Sequence, residues 1–170
     1  AKKYYRAIKE MTKEPEWLTK EFPNQPIREG RTMEDPDFPR IAITYSLEEN
    51  SRDSSVQQEE MQKIIEEYNQ YYDTSWSLAD IERYNGDINN RLARKRAEFK
   101  QFGKQIDLVI VVDRLLTGFD APTIQTLFVD RNLEYAGLIQ AFSRTNRTYP
   151  DKTKGLIVTF RKPATMEKNV

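Results

Sequence analysis

A chain of 170 residues, 38% of them hydrophobic, is long enough for one ordinary core and too short for two independent domains of usual size. Its 27 basic and 27 acidic side chains cancel, which argues against a surface that is basic all over, and the lack of Cys and His excludes disulfides, thiol nucleophiles, Cys/His zinc sites and histidine acid–base catalysis. The cancellation hides a split: residues 1–85 carry 12 basic and 18 acidic groups and residues 86–170 carry 15 and 9, a net of −6 and +6, so anion-binding chemistry is expected in the second half.

In chain order, Tyr4, Tyr5 and Ile8 share one helical face, as expected of a short helix that packs on something else. Ala1-Lys2-Lys3-Tyr4 reads as the start of an excised piece, without a signal-like apolar segment. Five of the eight prolines (Pro15, Pro23, Pro26, Pro36 and Pro39) follow, each removing an amide donor and biasing its predecessor toward extended geometry. Residues 1–39 are therefore read as a connecting helix and extended linker, and residues 40–170 as the folded domain. Ile41-Ala42-Ile43-Thr44-Tyr45-Ser46, β-branched and aromatic, is expected to be a buried strand.

Residues 51–104 read as a helical elaboration. Ser54 or Ser55 can cap a helix with Gln57 or Gln58 three places on, and Met61, Ile64, Ile65, Tyr68 and Tyr72 follow helical spacing. Asp73 to Ser77 break it; a short helix from Leu78 to Asn85 is expected to end at Gly86, and Asp87 to cap a third helix reaching about Phe102, closed by Gly103. That third helix holds Arg91, Arg94, Lys95, Arg96 and Lys100, with Lys104 just beyond. A solvated amphipathic face and a track of phosphate contacts along a nucleic acid both fit it.

From residue 106 the pattern changes to short apolar runs, Leu108 to Val112, Thr126 to Val129 and Gly155 to Phe160, with a helix from Glu134 to about Arg147 between the last two. Unalternated Val/Ile-rich runs suit parallel strands covered on both faces, so the fold class is α/β with a mostly parallel sheet. The longest fully aliphatic run has five residues, far below the roughly 18 that span a bilayer, and a soluble cytoplasmic protein is expected.

Two segments carry chemical information. Ligands of parallel α/β sheets bind at the carboxyl ends of strands, where Asp113 to Pro122 lies. There Gly118 permits close backbone approach and Asp120 offers an acceptor; a turn in which Asp120 caps a following helix, with Pro122 in its first turn, fits equally well. In the helix from Glu134, Tyr135, Leu138, Ile139 and Phe142 fall on one face, read as core, while Gln140, Ser143, Arg144 and Arg147 fall opposite. Two arginines three apart, without an acidic neighbour on their face, suit a phosphate or an ordinary ion pair formed elsewhere.

Taken together, Leu116-Thr117-Gly118-Phe119-Asp120-Ala121-Pro122, Leu127 to Leu133 and Gln140-Ala141-Phe142-Ser143-Arg144-Thr145-Asn146-Arg147 resemble the second motor domain of superfamily 2 helicases, and more narrowly the restriction (R) subunit of type I restriction-modification enzymes. The resemblance covers about residues 40–162 and sets motif V at Thr117 to Pro122 and motif VI at Gln140 to Arg147. It implies a RecA-like domain forming half of an ATP and Mg²⁺ site shared with a first motor domain. Arg147 would be the arginine finger at the γ-phosphate and Arg144 its partner at the phosphates. Gln140 would couple nucleotide state to closure, Gly118 would approach the nucleotide and Asp120 would bond the ribose or tie the two motifs. It also implies a double-stranded DNA track, with Ser46, Thr117, Arg91, Arg94 and Lys95 as candidate contacts. The expected partners are the first motor and nuclease domains of the same polypeptide and the methyltransferase and specificity subunits of a restriction-modification complex, with no membrane. Ser143 and Asn146 stand where the commoner helicase motif has glycine, which leaves the arginine spacing intact.

The chain has no Gly-x-x-x-x-Gly-Lys-Ser/Thr loop and no Asp-Glu pair on an apolar strand edge for Mg²⁺. The expected function is thus that of a motor domain in an ATP-dependent DNA translocase and endonuclease, inactive alone. Another superfamily 2 helicase domain, or a non-catalytic α/β module docking protein or nucleic acid through the Arg91 to Lys104 segment, remains open on these residues.

Overall fold

The computed structural model describes residues 2–13, 39–44, 55–101, 103–111, 121–130, 133, 135–150 and 152–160. In chain order these form helix α1 (Lys2–Lys13), strand β1 (Ile41–Ile43), helix α2 (Ser55–Tyr72), helix α3 (Ile81–Leu92), strand β2 (Leu108–Ile110), strand β3 (Thr126–Val129), helix α4 (Tyr135–Thr145) and strand β4 (Leu156–Thr159). Short 3₁₀ turns cover Leu78–Asp80 and Ala97–Lys100. The chain divides into two compact units, Ala1–Arg91 with Lys95–Val112, and Leu92–Arg94 with Asp113–Val170.

In the first unit β1 and β2 pair in parallel with Ile41, Ala42 and Ile43 opposite Leu108, Val109 and Ile110. A reciprocal clamp at their amino ends sets the register. The Arg40 amide donates to Asp107 Oδ2 at 2.9 Å, while the Asp107 and Leu108 amides donate to the Arg40 carbonyl at 3.0 and 3.1 Å. Arg40 is buried, and its Nε donates to Tyr71 Oη at 2.6 Å. Met61, Ile64, Ile65, Tyr68 and Tyr72 are all buried, as their spacing requires of α2, and Ile81, Tyr84 and Ile88 supply the matching stripe of α3. The Tyr68 and Tyr84 rings meet edge-on at 5.0 Å, and Tyr84 Oη donates to the Ile43 carbonyl at 2.9 Å, fastening α3 to the end of β1. α1 forms as expected, but of its three apolar candidates Tyr5 is buried and Tyr4 is exposed.

The helical stretch departs from expectation after Leu78. Gly86 does not end a helix and Asp87 does not cap one; both lie inside α3. The Asp87 carboxylate instead accepts from Tyr68 Oη at 2.7 Å and Arg91 Nε at 2.9 Å, so its energetic role is a buried polar network rather than a helix start. α3 stops at Leu92. Arg94 takes φ 51°, and the Lys95 amide reaches back to the Asn90 carbonyl at 3.1 Å, the six-residue closure of a Schellman motif. α2 ends the same way, with Asp73 at φ 53° and the Thr74 amide on the Asn69 carbonyl at 3.1 Å, which accounts for the expected break. The Asn69 side chain then organises the loop: its Nδ2 donates to the Trp76 carbonyl, and its Oδ1 accepts from Thr74 Oγ1 and the Trp76 amide.

In the second unit β3 and β4 pair in parallel from Thr126 opposite Leu156 to Val129 opposite Thr159. Val129, Leu133 and Ala141 form a small core against which Leu127 and Ile157 pack. The covering face of α4 differs from the expected one. Buried Ala141 and Thr145 lie one helical turn apart on it, and Gly137 precedes them at the same spacing, whereas Ile139 is 66% exposed and Phe142 is also exposed. The physical reason is approach distance: a Cβ placed on Gly155 would overlap the Thr145 carbonyl and come within 2.7 Å of Thr145 Cβ, so the backbone entering β4 lies directly on α4 and only small side chains fit between. Among the described residues of this unit the strands are not covered on both faces, since Phe128, Leu156 and Phe160 are exposed, with the two phenylalanine rings stacked 6.0 Å apart.

The α/β class and the parallel pairing stand as expected, and the described strands make two separate parallel pairs rather than one sheet. Tyr45 and Ser46 of the first expected strand and Ser54 of the expected cap lie outside the described residues. No helix among the described residues is long and apolar enough to cross a membrane.

Candidate functional site

Of the residues singled out in the sequence, Ser46, Thr117, Gly118 and Asp120 lie outside the described residues. Their flanks are placed. Thr44, at the carboxyl end of β1, is buried with its amide on the Ile110 carbonyl at 3.0 Å. On the far side of the Thr117 to Pro122 segment, Ala121 to Ile124 form a tight turn closed by the Ile124 amide on the Ala121 carbonyl at 3.1 Å. The turn leads directly into β3, so the helix expected to begin near Pro122 is absent. A proline without an amide hydrogen suits the second position of a turn as well as the first turn of a helix, and the sequence could not separate the two. Thr123 Oγ1 donates to the Leu92 carbonyl at 2.7 Å and pins this turn.

The motif VI residues occupy the end of α4 and the span beyond it. Gln140 is half-buried, and Ser143 directs its hydroxyl back to the Gln140 carbonyl at 2.7 Å. Arg144 is half-buried in the last turn, where the unpaired carbonyls of a helix end favour a cation. The helix stops at Thr145 and the Asn146 amide makes the closing bond to the Phe142 carbonyl at 2.9 Å, so Arg147 is not a helical residue as expected. It sits on the short irregular span between α4 and the Tyr149–Lys152 turn. The two arginines thus project from a helix terminus and from the chain after it, rather than from one helical face.

A third cation, Lys152, follows them in the chain, and no motif marked it. Tyr149 and Lys152 form a tight turn, with an antiparallel bridge and the Lys152 amide on the Tyr149 carbonyl at 3.0 Å. Lys152 Nζ donates to the Pro122 carbonyl at 3.0 Å. Partial burial and the neighbouring Arg147 charge hold the Lys152 ammonium below the ordinary lysine range. The only sequence signal for Lys152 was the basic surplus of the second half, because its partner is a backbone carbonyl that carries no side-chain signature. These groups are donors without an acceptor function, which fits the oxygens of a phosphate. Among the described residues no cluster of three or more His, Cys, Asp or Glu is arranged to hold a metal ion.

The candidate DNA contacts separate. Arg91 is 6% exposed, and its guanidinium lies over the Tyr72 and Phe99 rings at 4.2 and 4.7 Å, bonds Asp87 and donates to the Lys104 carbonyl at 3.2 Å. Its place is inside the first unit, which removes it from a surface where a phosphate contact would form. The reason is the position of Asp87: within α3 it stands four residues before Arg91 and draws the guanidinium inward. Arg94 is half-buried at the positive-φ helix stop and Lys95 is exposed just after it, so the three no longer share one helical face.

A family model described as type I restriction enzyme subunit R domain 3 matches residues 1–162. The chain belongs to the R-subunit family of type I restriction enzymes. The match begins at residue 1 and so takes in the connecting region as well as the domain that the motifs marked. Among R-subunit relatives, the type I restriction enzyme SauMRSORF196P endonuclease subunit of Staphylococcus aureus (strain MRSA252) is 35% identical over 138 residues, 79% of this chain and 14% of that protein. The SsaAORF53P endonuclease subunit of Staphylococcus saprophyticus is 53% identical over 58 residues, 34% of this chain and 6% of that protein. The putative MjaVIIP endonuclease subunit of Methanocaldococcus jannaschii is 46% identical over 77 residues, 45% of this chain and 7% of that protein. The chain therefore spans about one seventh of the length of the S. aureus R subunit.

Proposed function

We propose that this chain is the second, RecA-like motor domain of a type I restriction enzyme R subunit and supplies arginines to an ATP site completed by a first motor domain. The observation that carries this reading is the succession of Arg144 in the last turn of α4, Arg147 just beyond it and Lys152 bonded to the Pro122 carbonyl. Charge develops on the γ-phosphate oxygens as the bond to the leaving diphosphate breaks, and a guanidinium fixed there stabilises that state more than the ground state. Arg147 has this role, Arg144 steadies the phosphates, and Gln140, Gly118 and Asp120 complete the nucleotide side of the cleft. ATP brings its Mg²⁺, whose ligands belong to the first motor domain, as the missing Walker loop implies.

In the whole subunit, closing and opening of this cleft drives translocation along double-stranded DNA before the strands are cut in a nuclease domain elsewhere in the polypeptide. Sequence recognition and methylation fall to the specificity and methyltransferase subunits. Contacts of Thr117, Ser46, Arg94 and Lys95 with DNA are to backbone phosphates, because a motor that slides past any sequence cannot depend on base edges. The test is ATPase activity of the full-length subunit in its complex with DNA. Arg147→Ala is expected to lower kcat by ~10³-fold or more, the usual weight of an arginine finger, while the complex still assembles. Turnover near that of the unsubstituted enzyme would remove the finger from Arg147.

A further inference from the structure

We infer that residues 95–104 form a surface for the phosphate backbone of DNA, with Lys95, Lys100 and Lys104 as its contacts. The inference rests on the proposed function for its partner, duplex DNA, and adds a surface that no helicase motif marks. The segment carries Lys95, Arg96, Lys100 and Lys104 against the single carboxylate of Glu98, a net of +3, which is half of the +6 of residues 86–170. Glu98 pairs with Arg96 at 3.5 Å. Lys95, Lys100 and Lys104 are all exposed, and among the described residues no carboxylate lies within ion-pairing distance of any of them.

Lysines on a flexible loop are ordinarily only solvated. Here each of the three has a main-chain atom bonded to the body of the first unit. The Lys95 amide donates to the Asn90 carbonyl of α3 at 3.1 Å. The Lys100 carbonyl accepts from Gln105 Nε2 at 2.7 Å, and Gln105 is 3% exposed with its own carbonyl on Tyr72 Oη at 2.7 Å. The Lys104 carbonyl accepts from Arg91 Nη1 at 3.2 Å. The same guanidinium lies over the ring of Phe99, which is buried in the middle of the loop. Arg91 is enclosed and so touches no phosphate, but it fastens the loop that carries the exposed cations. A loop ordered during folding loses less conformational entropy when a ligand binds.

The geometry separates the phosphates of DNA from those of ATP. The loop leads into the amino end of β2, whereas nucleotides of parallel sheets sit beyond the carboxyl ends of the strands. It also offers no long helix or strand ribbon to a groove, since its one regular element is the four-residue turn Ala97–Lys100. Compact ammonium groups without a base-reading element suit a contact that any sequence satisfies.

The experiment titrates the full-length R subunit, without ATP, against a fluorescent duplex of arbitrary sequence over a range of salt. Combining Lys95→Gln, Lys100→Gln and Lys104→Gln is expected to flatten the slope of log affinity against log salt by about 2–3, near 0.9 for each lost phosphate contact, and to weaken binding at least about 10-fold at low salt. Arginine at the same three positions is expected to retain binding. Lys63→Gln, which removes an exposed charge from α2, is expected to leave the slope in place, and all variants to melt with the parent.

An unchanged slope in the triple glutamine variant overturns the inference, as does a parent subunit that does not bind the duplex at low salt. Loss of assembly with the methyltransferase and specificity subunits at an unchanged DNA slope makes the partner an acidic protein surface, and overturns it too. Because the titration contains no ATP, the ATPase of Arg147→Ala is judged apart from it. An inactive Arg147→Ala with an unchanged slope removes only the DNA surface; an active Arg147→Ala with a flattened slope removes only the finger.

Discussion

At the scale of single residues, the second unit depends on a hydrogen atom at position 155. A Cβ there meets the Thr145 carbonyl and Cβ, both parts of a buried helix end that has no room to retreat. Gly155→Ala is expected to destabilise the unit by about 1–3 kcal/mol, the usual cost of overpacking a closed contact, as a lower denaturant midpoint at unchanged slope. By contrast, Gly86 has no atom within 4 Å of an added Cβ and sits inside α3, where alanine propagates the helix better. The sequence read Gly86 as a helix stop and Gly155 as the start of an apolar run, and neither reading showed which glycine the packing requires. A glycine's reason is the backbone that approaches it, and that backbone comes from elsewhere in the fold. Arg91 teaches the same lesson with charge, being legible as a cation but not as one enclosed between Tyr72 and Phe99.

At the scale of elements, α1 packs against β1 and is tied to α2 by polar side-chain contacts. Tyr5 is its single buried residue; Tyr5 Oη and Lys9 Nζ both donate to Glu67 Oε2, and Arg6 pairs with Glu60. Burial alone would push the Glu67 carboxyl up, but the hydrogen bonds and charge supplied by Lys9 and Tyr5 hold it below the usual glutamate range. Lys9 is held above the ordinary lysine range by its bonds to Glu67 and Tyr5, against its own desolvation. A carboxylate depressed in the folded state stabilises docking above its unfolded pKa and loses that contribution as pH falls through its folded value. A lysine raised in the folded state contributes below its unfolded pKa and loses it only as pH rises through its folded value. Docking is therefore expected to hold through neutrality and weaken in acid: amide protection of Lys2–Lys13 near pH 6 should fall below about pH 4, ahead of protection in α3. Equal loss in α1 and α3 would show that the helix is held by other means. The helix itself was legible from its periodicity, but its acidic partners stand some 50 residues away and were not.

For the whole molecule, the division of labour in the charge distribution has a structural counterpart. The acidic half contains the ion-paired helices of the first unit, and the basic half contains Arg144, Arg147 and Lys152 in the second. Under the proposed function the chain holds the finger but not the phosphate-binding lysine or the metal ligands. The isolated 170-residue chain is accordingly expected to release no phosphate from ATP above background, with or without DNA, and Arg147→Ala to change nothing in that assay. Hydrolysis by the isolated chain would mean a complete nucleotide site and would overturn the division between two motor domains.

The sequence by itself determined the α/β class, the parallel character of the strands, the buried stripe Met61 to Tyr72 of α2, and the R-subunit family through Thr117 to Pro122 and Gln140 to Arg147. Those features are written in local periodicity and in residue types that one short segment carries whole. Tertiary structure alone decided that α3 runs through Gly86, that Arg91 is enclosed, that α4 covers its sheet with Ala141 and Thr145, and that Lys152 reaches Pro122. Several of those depend on a partner distant in sequence, among them the Pro122 carbonyl that Lys152 reaches, and a backbone atom leaves no mark in the side-chain pattern from which a sequence is read.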